Sequence, residues 1–442
     1  MPRMLHPAHA HRRSPVLATQ TLTIGKPEML CLLFTLLIEV GTSYWVSVAT
    51  LTSVFMVVRF QKVFAKGLSG VPAFIFVLPL MYTPLLWESS IDPNQDILKI
   101  TREVAFYTLE VSFFIGAKHF RFEVDQKAIR STIRIIAIFL FCLCAIQTLT
   151  IARNVYFGIP VELFAQGENT VPDELTLRFM HVRPAATFTE PSYLAFEVLG
   201  LLTVNGFFHH LGGKDPFANI LLLCSGLMSQ SLSFVMFLAI LMAIAVFTEQ
   251  AFARYRITFV VLGMIGALGV AAASDDFFLT QRLSTAGSAN GDFSIFVRIF
   301  GPAGIMGDFL ASYPVGALST AMLDAMTPFS AKAGMPPNEY LMNSIYNAFF
   351  YYGIFGGFII YFFFNPLNKI FMSFALLSFI FNGSCFAPDK FTCFALFYLL
   401  YLGNSYGGES LVQNAKLPLQ RFRRPSAKKA PNFLENPFFS NR

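Results

Sequence analysis

The amino-acid sequence predicts an all-α fold: a polytopic integral membrane protein of about twelve transmembrane helices. Three observations carry that prediction. Apolar runs of roughly 17–25 residues, the length that spans a bilayer, recur along the whole chain. Only 13% of the 442 residues are charged and the mean hydropathy is +0.57, against about 25% charged in a soluble domain, which excludes an ordinary soluble globular protein. Basic residues are dense in alternate connecting segments, as the bias of Lys and Arg toward the cytoplasmic side requires of a chain that crosses repeatedly.

Residues 1–27, opening MPRMLHPAHAHRR, form a basic, polar segment. No apolar run with a small-residue cleavage site follows directly, so no cleaved signal peptide is expected. The polytopic domain covers 28–403. Its first spans fall near 28–42 and 44–58, a tight hairpin or one long helix. The others fall near 68–87, 104–117, 132–151, 191–208, 217–229, 232–248, 257–273, 341–364, 367–382 and 391–403. Residues 404–442 are a basic tail whose RFRRPSAKK reads as a disordered segment near anionic lipid.

The charges orient this layout. The termini and the segments near 59–67, 118–130, 209–216, 249–256 and 365–369 hold 22 of the Lys and Arg residues; the opposite segments hold 9, and Arg134 lies inside a span. Both termini are therefore expected to be cytoplasmic. The same placement accounts for the net charge of +6 without an acidic partner, and no nucleic acid is expected. Two connections on the outer side are long, about 152–190 and 274–340. Loops of that length are usually functional or disordered, so the site is expected there.

HVRPAATFTEP closes the first long loop. Proline is tolerated in the first turn of a helix, so Pro191 places Glu190 at a helix N-terminus, where partial positive charge favours a carboxylate. Glu190 is either a helix-end anion that neutralises Arg183 or a general base for an acceptor hydroxyl. Arg183 either snorkels to lipid headgroups or binds phosphate through its planar fork. Five arginines in the two long outer loops (Arg153, Arg178, Arg183, Arg282, Arg298) suit a diphosphate ligand; helix-end anchoring is the alternative. In NEYLMNSIYNAFFYYGIFGGFIIYFF, Asn343 shares a helix face with Asn347 and with Tyr340, and an outer-edge asparagine can contact a sugar hydroxyl or cap the helix. Gly353 and Gly357 form a G-x-x-x-G pair, read as close helix packing. Ser229, Ser231 and Ser233 of SQSLSF form an outer turn.

Several chemistries are absent. No G-x-x-x-x-G-K-[ST] or H-E-x-x-H occurs, nor a D-x-D pair that would hold a metal–nucleotide-sugar. His209 and His210 are adjacent, a poor chelating geometry, and His6, His9 and His11 lie in the basic N-terminal segment. Cys31, Cys142, Cys144, Cys224 and Cys393 lie in apolar runs without a C-x-x-C and read as small buried hydrophobes.

The order of RPAATFTEPSYLA (183–195), SQSLSFVMF (229–237), TQRLSTAGS with VRIFGPAGIMG (280–307), MNSIYNAFFYYGIFGG (342–357) and FNGSCFAPDKF (381–391) resembles the bacterial Wzy-type polysaccharide polymerases. The likeness is greatest to the exopolysaccharide branch that includes the colanic acid polymerase. The resemblance implies a GT-C-like membrane glycosyltransferase of the inner membrane acting on undecaprenyl-diphosphate-linked oligosaccharide repeat units, with no metal and no cofactor. It carries over Glu190 as the base, Arg183, Arg298 and Arg282 as diphosphate ligands, and Asn343 as a polar substrate contact. Asn347 and Tyr340 share that helix face, and His181, beside the motif, is a rival for the base. A chain-length regulator (co-polymerase) and a flippase are the protein partners such an enzyme implies. One departure is that Ala186 stands where many relatives have glycine in R-x-x-G-x-F. The rival readings are an O-antigen ligase, for which no matching outer-loop histidine is seen near Asn343, and a lipid-linked-sugar transporter, for which no internal repeat is seen.

Overall fold

The computed structural model describes residues 20–43, 46–70, 105, 108–159, 163, 182–210, 213–272, 296–317, 322–333, 336–365, 367–381 and 388–404. It is largely helical. In chain order the described elements begin with β1 (Gln20–Ile24), α1 (Lys26–Phe34), β2 (Gly41–Ser43), β3 (Val46–Ser47), α2 (Val48–Arg59) and α3 (Gln61–Leu68). Then come α4 (Thr108–Ala117), β4 (Phe120–Val124), α5 (Gln126–Ile151), α6 (Pro191–Val204), α7 (Pro216–Met228), α8 (Leu232–Thr248) and α9 (Arg256–Ala272). The C-terminal part has α10 (Gly301–Ser312), α11 (Met322–Ala333), α12 (Ser344–Tyr352), α13 (Phe355–Phe364), α14 (Lys369–Phe381) and α15 (Pro388–Gly403).

Helix α5 shows how sequence makes these elements. Asp125 caps it, accepting from the Lys127 and Ala128 backbone amides at 2.9 and 3.2 Å, so it starts ahead of the expected apolar run at 132. Ile129, Ile133, Ile136, Ala137, Leu140 and Cys144 recur at three- and four-residue spacing and are all buried. At 26 residues and about 1.5 Å per residue, α5 is long enough to cross a bilayer. Among the described residues it is the one single helix that is both long and apolar enough to do so, or one of up to three if the bent pairs α2–α3 (75°) and Leu232–Thr248 with Gln250–Ile265 (103°) each count as one span. Helices α4, α6, α7, α13, α14 and α15 stand where spans are expected but are shorter. The expected span near 68–87 lies almost wholly outside the described residues.

Of the two forms open to the first two expected spans, the hairpin is the one observed: β2 and β3 pair antiparallel between α1 and α2, and Ser47 caps α2 by accepting from Thr50 N at 3.1 Å. The segment expected as the second long outer loop, 274–340, contains a π-helical turn (Phe296–Phe300), α10 and α11. The expected span at 341–364 is broken at Gly353, whose φ is +56°. A Cβ there would sit 2.1 Å from the Pro314 carbonyl oxygen, so glycine is required both by conformation and by the close approach of the 314–316 backbone. Gly353 and Gly357 therefore do not form one helix-packing face; the first ends α12 and the second lies in α13.

Phenylalanine supplies much of the core among the described residues. Helices α6 and α15 run through the centre, with residues 194–204 and 390–401 buried. Phe196 stacks on Phe374 at 5.5 Å and meets Phe394 edge-on at 5.1 Å; Phe114 meets Phe363 and Tyr398 edge-on at 5.0 and 5.3 Å. Such contacts favour edge-to-face rings over sandwiches.

Contacts between connecting segments sort into two groups. In one, β1 pairs parallel with β4 from Gln20↔Phe120 to Ile24↔Val124. Lys214 Nζ donates to Gln126 Oε1 at 2.6 Å and to Asn404 Oδ1, and Lys118 Nζ donates to the Asn365 carbonyl at 3.3 Å. Burial and the nearby Arg130 lower the Lys214 ammonium to about 8. Arg134 is paired with Asp215 at 2.7 Å, the residue that caps α7 through Ala218 N. The other group joins segments near 39, 147–157, 183–190, 230, 298 and 343, and it holds the candidate site.

Candidate active site

Glu190 is the N-cap of α6, with extended backbone (φ −132°, ψ 148°) and Pro191 at the first helical position. Its side chain makes no capping bond to its own helix. The carboxylate is instead 43% exposed, and its Oε2 accepts from Ser192 Oγ at 2.8 Å. The cation beside it comes from the second long loop: Arg298 NH2 lies 3.7 Å from the same Oε2. That distance is beyond a hydrogen bond, so the carboxylate is held in the arginine's field with lone pairs still open to a third group.

Arg298 sits on the π-helical turn that leads into α10, and its side chain is only 14% exposed. π-Turns within helical segments are frequent at functional sites. Asn343 fixes this turn from the other side, donating from Nδ2 to the Arg298 carbonyl oxygen at 2.6 Å. The same side chain caps α12, its Oδ1 accepting from Ile345 N and Tyr346 N at 2.8 and 3.2 Å. Both sequence readings of Asn343 thus meet in one residue: it is a helix cap, and it braces an arginine.

Asn347, one turn further on, donates from Nδ2 to the Leu341 carbonyl at 2.9 Å, while its buried Oδ1 has no protein partner. Tyr340 is fully buried, its ring close under Gly301, and its hydroxyl is likewise without a partner. Burial raises the Tyr340 phenol above its ordinary value, so it stays a protonated donor. Unpaired buried polar atoms are uncommon in folded chains; here the donor, Tyr340, lies against Gly301 at the end of the Arg298 turn, and the acceptor, Asn347, lies one turn beyond Asn343.

Arg183 belongs to the same motif as Glu190 and reaches the Gln230 carbonyl oxygen at 3.5 Å. Gln230 has φ +47° in the SQSLSF turn, where Ser229 Oγ donates to the Gly226 carbonyl and accepts from Ser231 N. Turn chemistry accounts for these two serines, and the turn in question is the one that holds Arg183. His181 and Arg282 lie outside the described residues. Among the described residues no group of three or more His, Cys, Asp or Glu side chains is placed to hold a metal ion.

The turn between Arg183 and Glu190 is held by residues the sequence reading passed over. Gln147 of α5 contacts Ala185 and Ala186, Thr187 Oγ1 donates to the Leu36 carbonyl, and Glu39 accepts from Thr189 N at 2.7 Å and Thr189 Oγ1 at 2.9 Å. Ala186 has φ +55°, the left-handed region that glycine prefers. The alanine that departs from R-x-x-G-x-F thus keeps a glycine-type backbone. A signal for Gln147 did exist: it is the one amide side chain in the apolar run IIAIFLFCLCAIQ.

A known family matches this sequence along most of the chain. Residues 22–400 match the family described as WcaD colanic acid polymerase. The chain belongs to that family. Comparisons with curated proteins and with solved structures each give no match. Membership of the WcaD colanic acid polymerase family implies polysaccharide biosynthesis by a membrane-bound, glycosyltransferase-type polymerase. The match spans segments 152–190 and 274–340, so the segments that meet at Glu190 and Arg298 both lie within the matched region.

Proposed function

We propose that this protein polymerises lipid-linked oligosaccharide repeat units at the periplasmic face of the bacterial inner membrane. It moves the growing chain from undecaprenyl diphosphate onto the non-reducing end of a new lipid-linked unit. The observation that carries this reading is the 3.7 Å approach of Arg298 to Glu190, which joins the two long outer loops of a WcaD-family chain. In the proposed reaction Glu190 takes the proton of the acceptor hydroxyl. The freed oxygen attacks C1 of the chain's reducing-end sugar, the C1–O bond to the diphosphate breaks, and the electron pair leaves on the diphosphate. Arg183 and Arg298 neutralise that charge through preorganised guanidinium groups, with Arg282, outside the described residues, as the proposed third, and without a metal or a cofactor.

Asn343, Asn347 and Tyr340 are the proposed sugar contacts, and His181, outside the described residues, is a further candidate. The unpaired Tyr340 hydroxyl and Asn347 Oδ1 suit sugar hydroxyls, which both donate and accept. About twelve spans, both termini cytoplasmic and loops 152–190 and 274–340 periplasmic complete the arrangement; the separation of segment contacts into two groups supports it. A flippase that delivers the unit and a co-polymerase that sets chain length are the expected partners. The test is polymer formation by purified protein given one synthetic lipid-diphosphate-linked repeat unit in EDTA. A ladder of products is expected, whereas folded protein that yields none from the correct unit overturns the proposal.

A further inference from the structure

Four hydrogen bonds converge on the Gln147 amide. Its Oε1 accepts from Ala185 N at 3.1 Å and Ala186 N at 2.8 Å. Its Nε2 donates to the Ala186 carbonyl at 2.8 Å and to the Phe157 carbonyl at 2.8 Å. A primary amide has two donor hydrogens and two acceptor lone pairs, and this one uses them all. Gln147 is completely buried in an apolar part of α5, where an unpaired polar group is strongly unfavourable.

The peptide it grips is the Ala186 turn at φ +55°. An L-residue is disfavoured in that conformation, so the turn needs an external hold. Arg183 lies just before it and Glu190 just after. Glu39 adds a second grip three residues on, through Thr189. From this geometry we infer that Gln147 is a positioning residue that sets Arg183 and Glu190 in register with Arg298, an inference that rests on the proposed function. No other side chain does the same work: glutamate lacks the donors, leucine lacks both kinds of valence, and asparagine ends one carbon short.

The test uses the purified full chain in the same transfer assay, comparing Gln147→Glu, Glu190→Asp and the double variant. Gln147→Glu is expected to lower kcat by about a hundredfold, the loss that a displacement near 1 Å produces, while KM for the lipid-linked unit stays nearly unchanged. The double variant is expected to lose less than the product of the single losses, because one residue acts through the other. If Gln147→Glu does not accumulate, Gln147→Asn keeps every valence with shorter reach and is expected to fold with the same fall in kcat. A folded Gln147 variant with wild-type kcat, or losses that multiply, overturns the inference. Wild-type protein without polymer, or Glu190→Asp at the wild-type rate, overturns the proposed function and this inference with it.

Discussion

Replacing Asn343 by serine separates its two tasks. Serine caps a helix about as well as asparagine, so α12 keeps its N-terminal hold. The serine side chain ends one atom sooner, and its oxygen is taken by the Ile345 and Tyr346 amides. The 2.6 Å bond to the Arg298 carbonyl is therefore lost. A half-buried acceptor left without its donor costs at most about 1–3 kcal/mol. If the Arg298 turn shifts to recover that energy, the guanidinium leaves the position it holds beside Glu190. Expressed as a barrier, the same 1–3 kcal/mol is about a five- to 150-fold loss of transfer rate. Asn343→Ala loses the cap as well, about 1 kcal/mol more of stability. The assay is the rate of ladder formation together with thermal melting in detergent. Both variants are expected to lose transfer, with the alanine variant melting lower. Asn343→Ser that melts lower yet transfers at the wild-type rate refutes the idea that Asn343 positions Arg298.

Two other substitutions probe the backbone around the site. Ala186→Gly relieves roughly 1–2 kcal/mol of left-handed strain but adds about 0.5–1 kcal/mol of chain entropy, so its melting temperature is expected near or slightly above wild type; Ala186→Val, a β-branched residue at positive φ in a buried turn, is expected to melt well below it. Gly353→Ala places a methyl 2.1 Å from the Pro314 carbonyl oxygen at φ +56°, and folded protein, followed by size-exclusion chromatography in detergent, is expected to fall sharply.

Much of this architecture is legible in the sequence because apolar runs dictate it. Helix α5 follows from a long apolar stretch behind Asp125, α7 from the Asp215–Pro216 start, and α6 from Glu190–Pro191. The motif order also reads directly, and it leads to the family. What is not legible depends on contacts between distant residues. Gln147 meets Ala186 across 39 positions, and nothing local marks a lone amide as a clamp. The pairing of β1 with β4 joins Gln20–Ile24 to a segment a hundred residues on, whereas the local composition there reads only as the polar end of a basic segment. The break at Gly353 is set by the 314–316 backbone pressing against it, so the apolar run reads as one span. Arg183 and Glu190 look like partners because they are seven apart in one motif; the ion pair at Glu190 is made by Arg298, from the other long loop.

The most direct test of the account is single-turnover transfer by Glu190→Gln at saturating lipid-linked donor and acceptor, with folded protein matched to wild type. Glutamine keeps the shape beside Arg298 and Ser192 but cannot accept the hydroxyl proton. The account predicts that both lipids still bind and that transfer falls by about 10²–10⁴, the range that general base catalysis contributes. Transfer at the wild-type rate would contradict it, and would leave Glu190 as a helix-end anion that only balances the charge of Arg298.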